Sequence, residues 1–394
     1  MSRPLIYLDH GASTPVHPQV LEVMMPFWTE AYGNPSSFHR LGRAAAHAVE
    51  IARESIARQL NARPNELIFT SCGSESDNLA LRGVLFAARA NVGRDHLIIS
   101  QIEHSAISNT AIQLRDKFGF ELTILPVDHY GRVSLDQLES AIRPNTALIS
   151  IMAANNEVGT LQPVQDIGRL ARESNILFHT DAVQAIATRN WDMQELQIDL
   201  MSIAPHKFYG PKGIGILYVR DGVILEPSLT GGGQEEGRRA GTENTPYIVG
   251  AAEAFRLTQE MLPDWENHYR SLRDRLISGI TSALEPDCIL TGHPQERLPH
   301  NASFAFRNIS GNDLLMHLDL AGIAASSGSA CMSGDPKPSA TLLALGLDKE
   351  WAAGGLRLTV GLQNNMEEID FVVSTIPHIT EKLWQLNNAL QRTA

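Results

Sequence analysis

The stretch ILFHTDAVQAIATRNWDMQELQIDLMSIAPHKFYGPKGIGILYV, residues 176–219, contains three short apolar runs separated by polar and turn-forming residues. These runs cover residues 176–180, 199–203 and 214–219. They are nearly continuous in apolar character rather than alternating, which is typical of strands covered by helices on both faces. The stretch therefore predicts three buried strands of an α/β sheet.

Four similar runs precede this stretch, with helical patterns between them: Leu67 to Thr70, His96 to Ser100, Glu121 to Val127 and Thr146 to Ala153. This alternation predicts a large doubly wound, mainly parallel, seven-stranded sheet domain. Beyond about residue 290 the order changes to strand-like Ala302 to Phe306, a helix from Asn312 to Leu320, a strand Leu356 to Val360 and a final helix from Met366. That order predicts a smaller α+β domain. We expect the large domain to span 16–260, and the small domain to combine 1–15 with 261–394.

Composition limits the class of protein. The chain has 394 residues, of which 43% are hydrophobic, and its formal net charge is −12, which argues against binding nucleic acid by broad phosphate neutralisation. It has only three cysteines, with no zinc-site spacing, so we expect neither a disulfide scaffold nor a structural metal. No signal-peptide pattern or bilayer-length apolar stretch is present, and we expect a cytoplasmic protein.

Polar residues at predicted strand ends are the candidates for chemistry. Lys207 follows one strand and precedes a Gly/Pro-rich turn, where α/β enzymes bind ligands. An isolated lysine there is usually solvated, so its neighbours decide its role. Asp181 ends the preceding strand, and an acid there can hold a protonated pyridine nitrogen. The turn 71–76 offers backbone donors for a phosphate, and His104 follows another strand.

This order of phosphate turn, histidine, carboxylate and lysine resembles the fold-type I, class V aminotransferase-like pyridoxal phosphate enzymes. The run Ser326-Ser327-Gly328-Ser329-Ala330-Cys331 is similar to the active-site cysteine loop of cysteine desulfurases of the NifS/IscS kind. The YLDHGASTPVHP arm at 7–18 and the RRAGTEN motif at 238–244 also match. The resemblance therefore covers essentially the whole chain.

The resemblance implies a role for each candidate residue. Lys207 carries pyridoxal 5'-phosphate as a Schiff base, Asp181 pairs with the pyridine nitrogen, and His104 stacks on the ring. The other implied cofactor contacts are Gly73, Ser74, Asn156, Gln184, Ala204, where the family commonly has serine, and His206, together with Thr242 from the other subunit of a homodimer. Arg357 binds the substrate α-carboxylate, with Asn156 nearby.

The implied reaction is the removal of sulfur from L-cysteine, which gives L-alanine and a persulfide on Cys331. In this implied reaction Lys207 removes the α-proton of the substrate, and His104 donates or accepts the proton at the thiol. The sulfur then passes to an acceptor protein such as an iron–sulfur scaffold, and any iron–sulfur contact of Cys331 is transient. A selenocysteine lyase, an aminotransferase of the same fold and a catalytically silent sulfur-carrier or scaffold subunit remain alternatives.

Overall fold

The computed structural model describes residues 5–327 and 338–393, with side chains up to residue 387. The strands in that part of the chain are β1 (Ile6–Tyr7), β2 (Leu67–Thr70), β3 (His96–Ser100), β4 (Glu121–Leu125), β5 (Thr146–Ser150), β6 (Leu177–Asp181), β7 (Leu200–Ile203), β8 (Gly215–Val219), β9 (Cys288–Leu290), β10 (Asn301–Phe306), β11 (Ile323–Ala324) and β12 (Gly355–Thr359). The helices are α1 (Pro18–Met24), α2 (Pro26–Thr29), α3 (Arg40–Gln59), α4 (Gly73–Val92), α5 (Ser105–Phe118), α6 (Leu135–Ala141), α7 (Val164–Glu173), α8 (Thr245–Leu284), α9 (Gly311–Leu320), α10 (Ala340–Ala344), α11 (Lys349–Ala352) and α12 (Met366–Thr393).

The central sheet contains the seven predicted strands in the order β2-β8-β7-β6-β5-β3-β4. Its strands are parallel except β8, which runs antiparallel to β2 and β7. Every residue of β3, β5, β7 and β8 is buried, which explains why these strands read as continuous apolar runs. The carboxyl ends of β5, β6 and β7 lie at one edge of the sheet, and the candidate residues follow them.

A second, antiparallel sheet has the order β12-β10-β9, and β1 pairs with β11 in a short parallel ribbon. These additional strands confirm the predicted mixture of a parallel sheet with an α+β part. The 40-residue helix α8 packs on α3, α12 and the strands β9 and β10. The predicted boundary at residue 260 falls inside α8, and the division into two domains stays a prediction. Across the described ranges, no helix combines the length and apolar character that a bilayer crossing requires.

Candidate active site

A cavity of about 660 Å³ opens at the carboxyl ends of β5, β6 and β7. It brings together ten of the residues singled out in the sequence: Gly73, Ser74, His104, Asn156, Asp181, Gln184, Ala204, His206, Lys207 and Arg357. Thr242 is exposed and lines a separate cavity of about 170 Å³. Cys331, including its predicted transient iron–sulfur contact, lies outside the described residues. Nearly all of the predicted site residues therefore line a single cavity.

The amine of Lys207 is placed by a short 3₁₀ turn, Pro205–Lys207, directly after β7. It donates hydrogen bonds to the carbonyl oxygens of Gly11, at 2.7 Å, and Ala12, at 2.8 Å. Burial, with a smaller contribution from Arg357, lowers the pKa of Lys207 to about 8. The amino-terminal arm therefore holds this lysine, and a substantial fraction of its amine is unprotonated just above neutral pH, which is the nucleophilic form.

Asp181 is the last residue of β6 and is buried. Its Oδ1 accepts a hydrogen bond of 2.9 Å from the Val183 N–H, and burial raises the pKa of the carboxyl. Asp77 lines the same cavity, and its buried Oδ1 has no hydrogen-bond partner among the described residues. Burial, reinforced by repulsion from Asp181, raises the pKa of Asp77 well above its usual range. Two desolvated carboxyls thus face a cavity in which a cationic ring nitrogen would relieve the cost of their burial.

His179, which lies next to these carboxyls, does not supply that cation. Its Nδ1 lies 2.9 Å from Ser150 Oγ and its Nε2 lies 3.0 Å from Ser202 Oγ. Burial lowers the pKa of His179 to about 3, so the ring is neutral at physiological pH. Within the structure, favourable charge at Asp181 comes from His104 and Lys207, and a cationic ligand nitrogen would add to it.

The predicted phosphate turn lies where α4 begins. No side chain caps the first turn of this 20-residue helix, whose N-cap residue is Cys72. A Cβ atom at Gly73 would lie 3.0 Å from Val183 Cγ2 and 3.3 Å from the Cβ of Ala204, so the absence of a side chain lets the backbone approach closely. Burial, with the nearby Lys207, lowers the pKa of His206 to about 4. A neutral His206 can donate one hydrogen bond to a phosphate without adding charge.

Arg357 lies on β12 and is only 7% exposed. Its Nη1 donates to the Asn156 carbonyl oxygen and its Nη2 donates to Asp9 Oδ1, both at 2.8 Å. Its buried Nε has no hydrogen-bond partner among the described residues. A guanidinium held in this way places a fixed positive charge at the cavity wall, where it would attract a carboxylate that enters the cavity.

His104 is the N-cap residue of α5 and is exposed toward solvent. Its Nδ1 accepts a hydrogen bond of 3.2 Å from the Ala106 N–H, so the neutral ring carries its proton on Nε2. Gln184 donates from Nε2 to the Gly11 carbonyl oxygen at 2.9 Å. The exposed His104 ring is suited to proton exchange at the mouth of the cavity. The Gln184 side chain adds another contact to the amino-terminal arm.

Comparison with known proteins decides the family. The aminotransferase class-V family matches residues 6–372. The chain belongs to the class-V aminotransferase family. Within this family it is 48% identical over 378 residues to the cysteine desulfurase IscS of Methanosarcina thermophila, an alignment that covers 96% of this chain and 92% of the relative. It is 46% identical over 380 residues to the cysteine desulfurase IscS of Clostridium botulinum, with 96% and 94% covered.

Solved structures give the same result for this class-V chain. A NifS-like protein superposes with a TM-score of 0.89 and 38% identity, and the match covers 96% of this chain and all of that one. A NifS-like protein from Rickettsia africae superposes with a TM-score of 0.86 and 28% identity, covering 96% and 99%. The chain is accordingly an enzyme of the cysteine desulfurase type, and its cofactor is pyridoxal phosphate. The predicted family, fold class and cofactor are confirmed.

The cavity of this class-V enzyme suits pyridoxal phosphate on its own geometry. The unpaired carboxyl oxygen of Asp77 and the buried carboxyl of Asp181 match a protonated pyridine nitrogen. The Lys207 amine is a nucleophile for the aldehyde carbon of the cofactor, and the uncapped start of α4 provides backbone N–H donors for its phosphate. Ala204 offers no side-chain donor, so at this position the phosphate lacks one hydrogen bond that serine would provide.

Sequence reasoning missed several residues of this site: Asp9, Gly11, Ala12, Asp77 and Glu157. For Asp77 a signal existed, because it lies four residues after Gly73 on α4 and therefore on the same face of the helix. For the arm, the family-like run at 7–18 marked the segment but not its contacts, because its hydrogen bonds to Lys207 span almost 200 residues of sequence. Such pairings depend on tertiary structure.

Proposed function

We propose that this enzyme transfers the sulfur of L-cysteine to Cys331 and releases L-alanine. The single observation that carries the proposal is the convergence of Lys207, Asp181 and Arg357 on one cavity. These residues provide an amine of lowered pKa, a buried carboxyl and a guanidinium fixed at the cavity wall. An α-amino acid substrate needs these groups for its α-proton, its cofactor and its carboxylate.

Each side chain then has a defined task. Pyridoxal phosphate, when bound, supplies an electron sink for negative charge at the substrate α-carbon. Arg357 binds the substrate carboxylate, and the unprotonated Lys207 amine accepts the α-proton. The Cys331 thiolate forms a sulfur–sulfur bond with the substrate as the substrate carbon–sulfur bond breaks. His104 exchanges a proton at the thiol, and the carbon skeleton takes up a proton and leaves as L-alanine.

The stoichiometry of the products tests this reaction. With purified enzyme and L-cysteine, we expect one L-alanine for each sulfane sulfur recovered after addition of a thiol reductant. An aminotransferase would instead form the corresponding keto acid in the presence of an amino acceptor, with no L-alanine from the cysteine skeleton. A parallel measurement with L-selenocysteine tests the lyase alternative. The desulfurase proposal is wrong if keto acid is the main product.

We further propose a homodimer in which Thr242 reaches the cofactor phosphate of the partner site. Thr242 is exposed, and it lines the smaller cavity of about 170 Å³ rather than the active-site cavity of the same chain. Its segment is linked to the phosphate turn through Arg239, whose Nε donates to Glu75 Oε1 at 2.8 Å. Large apolar side chains near the start of the chain are also exposed, and they are Leu21, Met25, Trp28, Tyr32 and Phe38. We propose that these side chains, called here the amino-terminal apolar surface, are covered by a partner subunit.

Charge placed on the amino-terminal apolar surface should weaken the dimer. Phe38 is 93% exposed, so Phe38→Asp should leave the fold of one chain intact. Combined with Met25→Asp, it is expected to raise the dimer dissociation constant roughly 100-fold or more, because buried carboxylates at an apolar interface are costly. Sedimentation velocity over a concentration series measures this change. Val92→Asp, at another exposed apolar position, is the matched control. An unchanged dimer in the double variant would contradict this interface.

The remaining proposals concern the enzyme's surroundings. We propose that the persulfide sulfur passes to an acceptor protein such as an iron–sulfur scaffold. We place the enzyme in the cytoplasm, a reducing compartment that suits Cys72 and Cys288, both of which are free thiols. We also retain the division into a cofactor-binding domain, 16–260, and a smaller domain formed by 1–15 and 261–394.

A further inference from the structure

Glu157 lies in the wall of the cavity, in the loop that follows β5, and the proposed reaction assigns it no task. Its backbone is fixed, because its N–H donates to Asn155 Oδ1 at 2.9 Å and its carbonyl oxygen accepts from Asn301 Nδ2 at 3.2 Å. Its side chain accepts a hydrogen bond of 2.6 Å from Ser339 Oγ to Oε2. Glu157 thus joins two parts of the chain that lie 182 positions apart.

Ser339 follows closely on the segment 328–337, which contains Cys331. It is also the N-cap residue of α10, where its Oγ accepts from the Leu342 N–H at 3.1 Å, and its N–H donates to the Ala352 carbonyl oxygen at 3.0 Å. Ser339 is therefore fixed to α10 and to the backbone at Ala352. The hydrogen bond to Glu157 joins it to the cavity wall, beside the packing of Leu342 against Met152.

The preceding end of the same segment is attached to that wall as well. Ser326 and Arg357 form an antiparallel bridge, with backbone hydrogen bonds of 3.2 Å and 2.7 Å. Arg357 in turn donates to the carbonyl oxygen of Asn156, the residue beside Glu157. One flank of 328–337 is thus bonded to Arg357 and the other to Glu157, and Asn156, which precedes Glu157, accepts a hydrogen bond from Arg357. These three neighbouring residues, Asn156, Glu157 and Arg357, form one wall of the cavity.

We infer that Glu157 is a positioning residue for sulfur transfer, which acts by holding Ser339, and with it the flank of the cysteine segment, against the substrate-binding wall. The inference rests on the proposed function. A hydrogen-bond acceptor at residue 157 is sufficient for this role, and a negative charge is not needed. Glutamine keeps an acceptor oxygen of similar reach, whereas alanine does not. A catalytic proton-transfer role at Glu157 would require the carboxyl group itself, so the two substitutions separate these roles.

Two rates measured on the cofactor-bound enzyme test the inference. The first is solvent deuterium exchange at the α-carbon of L-alanine, which needs Lys207 and Arg357 but no thiol. The second is single-turnover formation of the persulfide on Cys331 from L-cysteine. Since a misplacement of about 1 Å can cost about 100-fold in rate, we expect Glu157→Ala to slow persulfide formation roughly 10- to 100-fold. Exchange should fall much less than persulfide formation, because it needs no thiol and Arg357 keeps its hydrogen bonds to Asn156 and Asp9 in this variant.

Matched variants sharpen the result. Glu157→Gln should form persulfide within about threefold of the wild-type rate. Ser339→Ala should also slow persulfide formation, but less than Glu157→Ala, because Thr341 donates a second hydrogen bond to the Glu157 carboxyl. The Glu157→Ala/Ser339→Ala double variant should be no slower than Glu157→Ala alone, because Glu157→Ala already removes the contact to Ser339. Equal loss of both rates in Glu157→Ala, or a loss in Glu157→Gln as large as in alanine, would overturn the inference. If wild-type enzyme forms L-alanine without any persulfide, the proposed function itself falls, which is a separate and recognisable outcome.

Discussion

Replacing Lys207 by alanine is expected to reduce the rate of L-alanine formation from L-cysteine by about 10⁴-fold or more. Among the described residues that line the cavity, Lys207 is the one lysine, and the one arginine is Arg357. A guanidinium keeps its proton throughout the physiological range and cannot act as a base. The variant should also lose the visible absorption of covalently bound cofactor.

Two matched variants make this prediction specific. Lys207→Arg keeps the positive charge but not a base of accessible pKa, and it should be as inactive as the alanine variant. Lys212→Ala removes an exposed lysine from the same turn and should retain activity within a few fold. Steady-state L-alanine release and absorption spectra measure both effects. A Lys207→Ala enzyme with more than about 1% of wild-type activity would refute the role of Lys207 in proton transfer.

Replacing Cys331 by serine should abolish persulfide formation and reduce L-alanine formation from L-cysteine by about 10³-fold or more, because a hydroxyl is a far weaker nucleophile than a thiolate. The same variant should still exchange the α-proton of L-alanine with solvent deuterium, since Lys207 and Arg357 remain in place. Loss of sulfur transfer with retention of proton exchange is the pattern that separates a desulfurase from an aminotransferase of the same fold. NMR of the α-proton and product assays measure the two activities.

The other two cysteines provide the controls. Cys288 is buried on β9, and burial raises the pKa of its thiol to about 12, so it is not a thiolate at neutral pH. Cys72 is exposed and lines the cavity beside Gly73. Cys288→Ser and Cys72→Ser should each keep at least about a third of the wild-type rate of persulfide formation. Full persulfide formation in Cys331→Ser, with loss in Cys72→Ser, would transfer the nucleophilic role to Cys72.

Much of this architecture could be predicted from the sequence because buried parallel strands produce continuous apolar runs. The run 199–203 ends just before Lys207, and the run 176–180 ends just before Asp181, so the strand order placed both at one sheet edge. The antiparallel direction of β8 could not be predicted in this way, because a buried strand has the same composition in either direction.

Contacts between distant segments could not be predicted from the sequence, for a different reason. The carbonyl oxygens of Gly11 and Ala12 bind the Lys207 amine, yet a backbone acceptor leaves no signature in residue type. The pairing of Glu157 with Ser339 joins two polar residues, each of which would be unremarkable on a surface. The first two pairings follow from the tertiary fold rather than from local pattern. The proposed contact of Thr242 with a partner site rests on family resemblance, since one chain's sequence does not encode which copy a loop contacts.

The most direct measurement of the central claim is mass spectrometry of the peptide that contains Cys331 after brief incubation of the cofactor-bound enzyme with L-cysteine. Digestion and alkylation at low pH preserve the modification. We predict a mass gain of one sulfur atom on Cys331, with an equal amount of L-alanine released in the first turnover. An unmodified Cys331 in enzyme that has released L-alanine, or the added sulfur on Cys72 instead, would contradict the account.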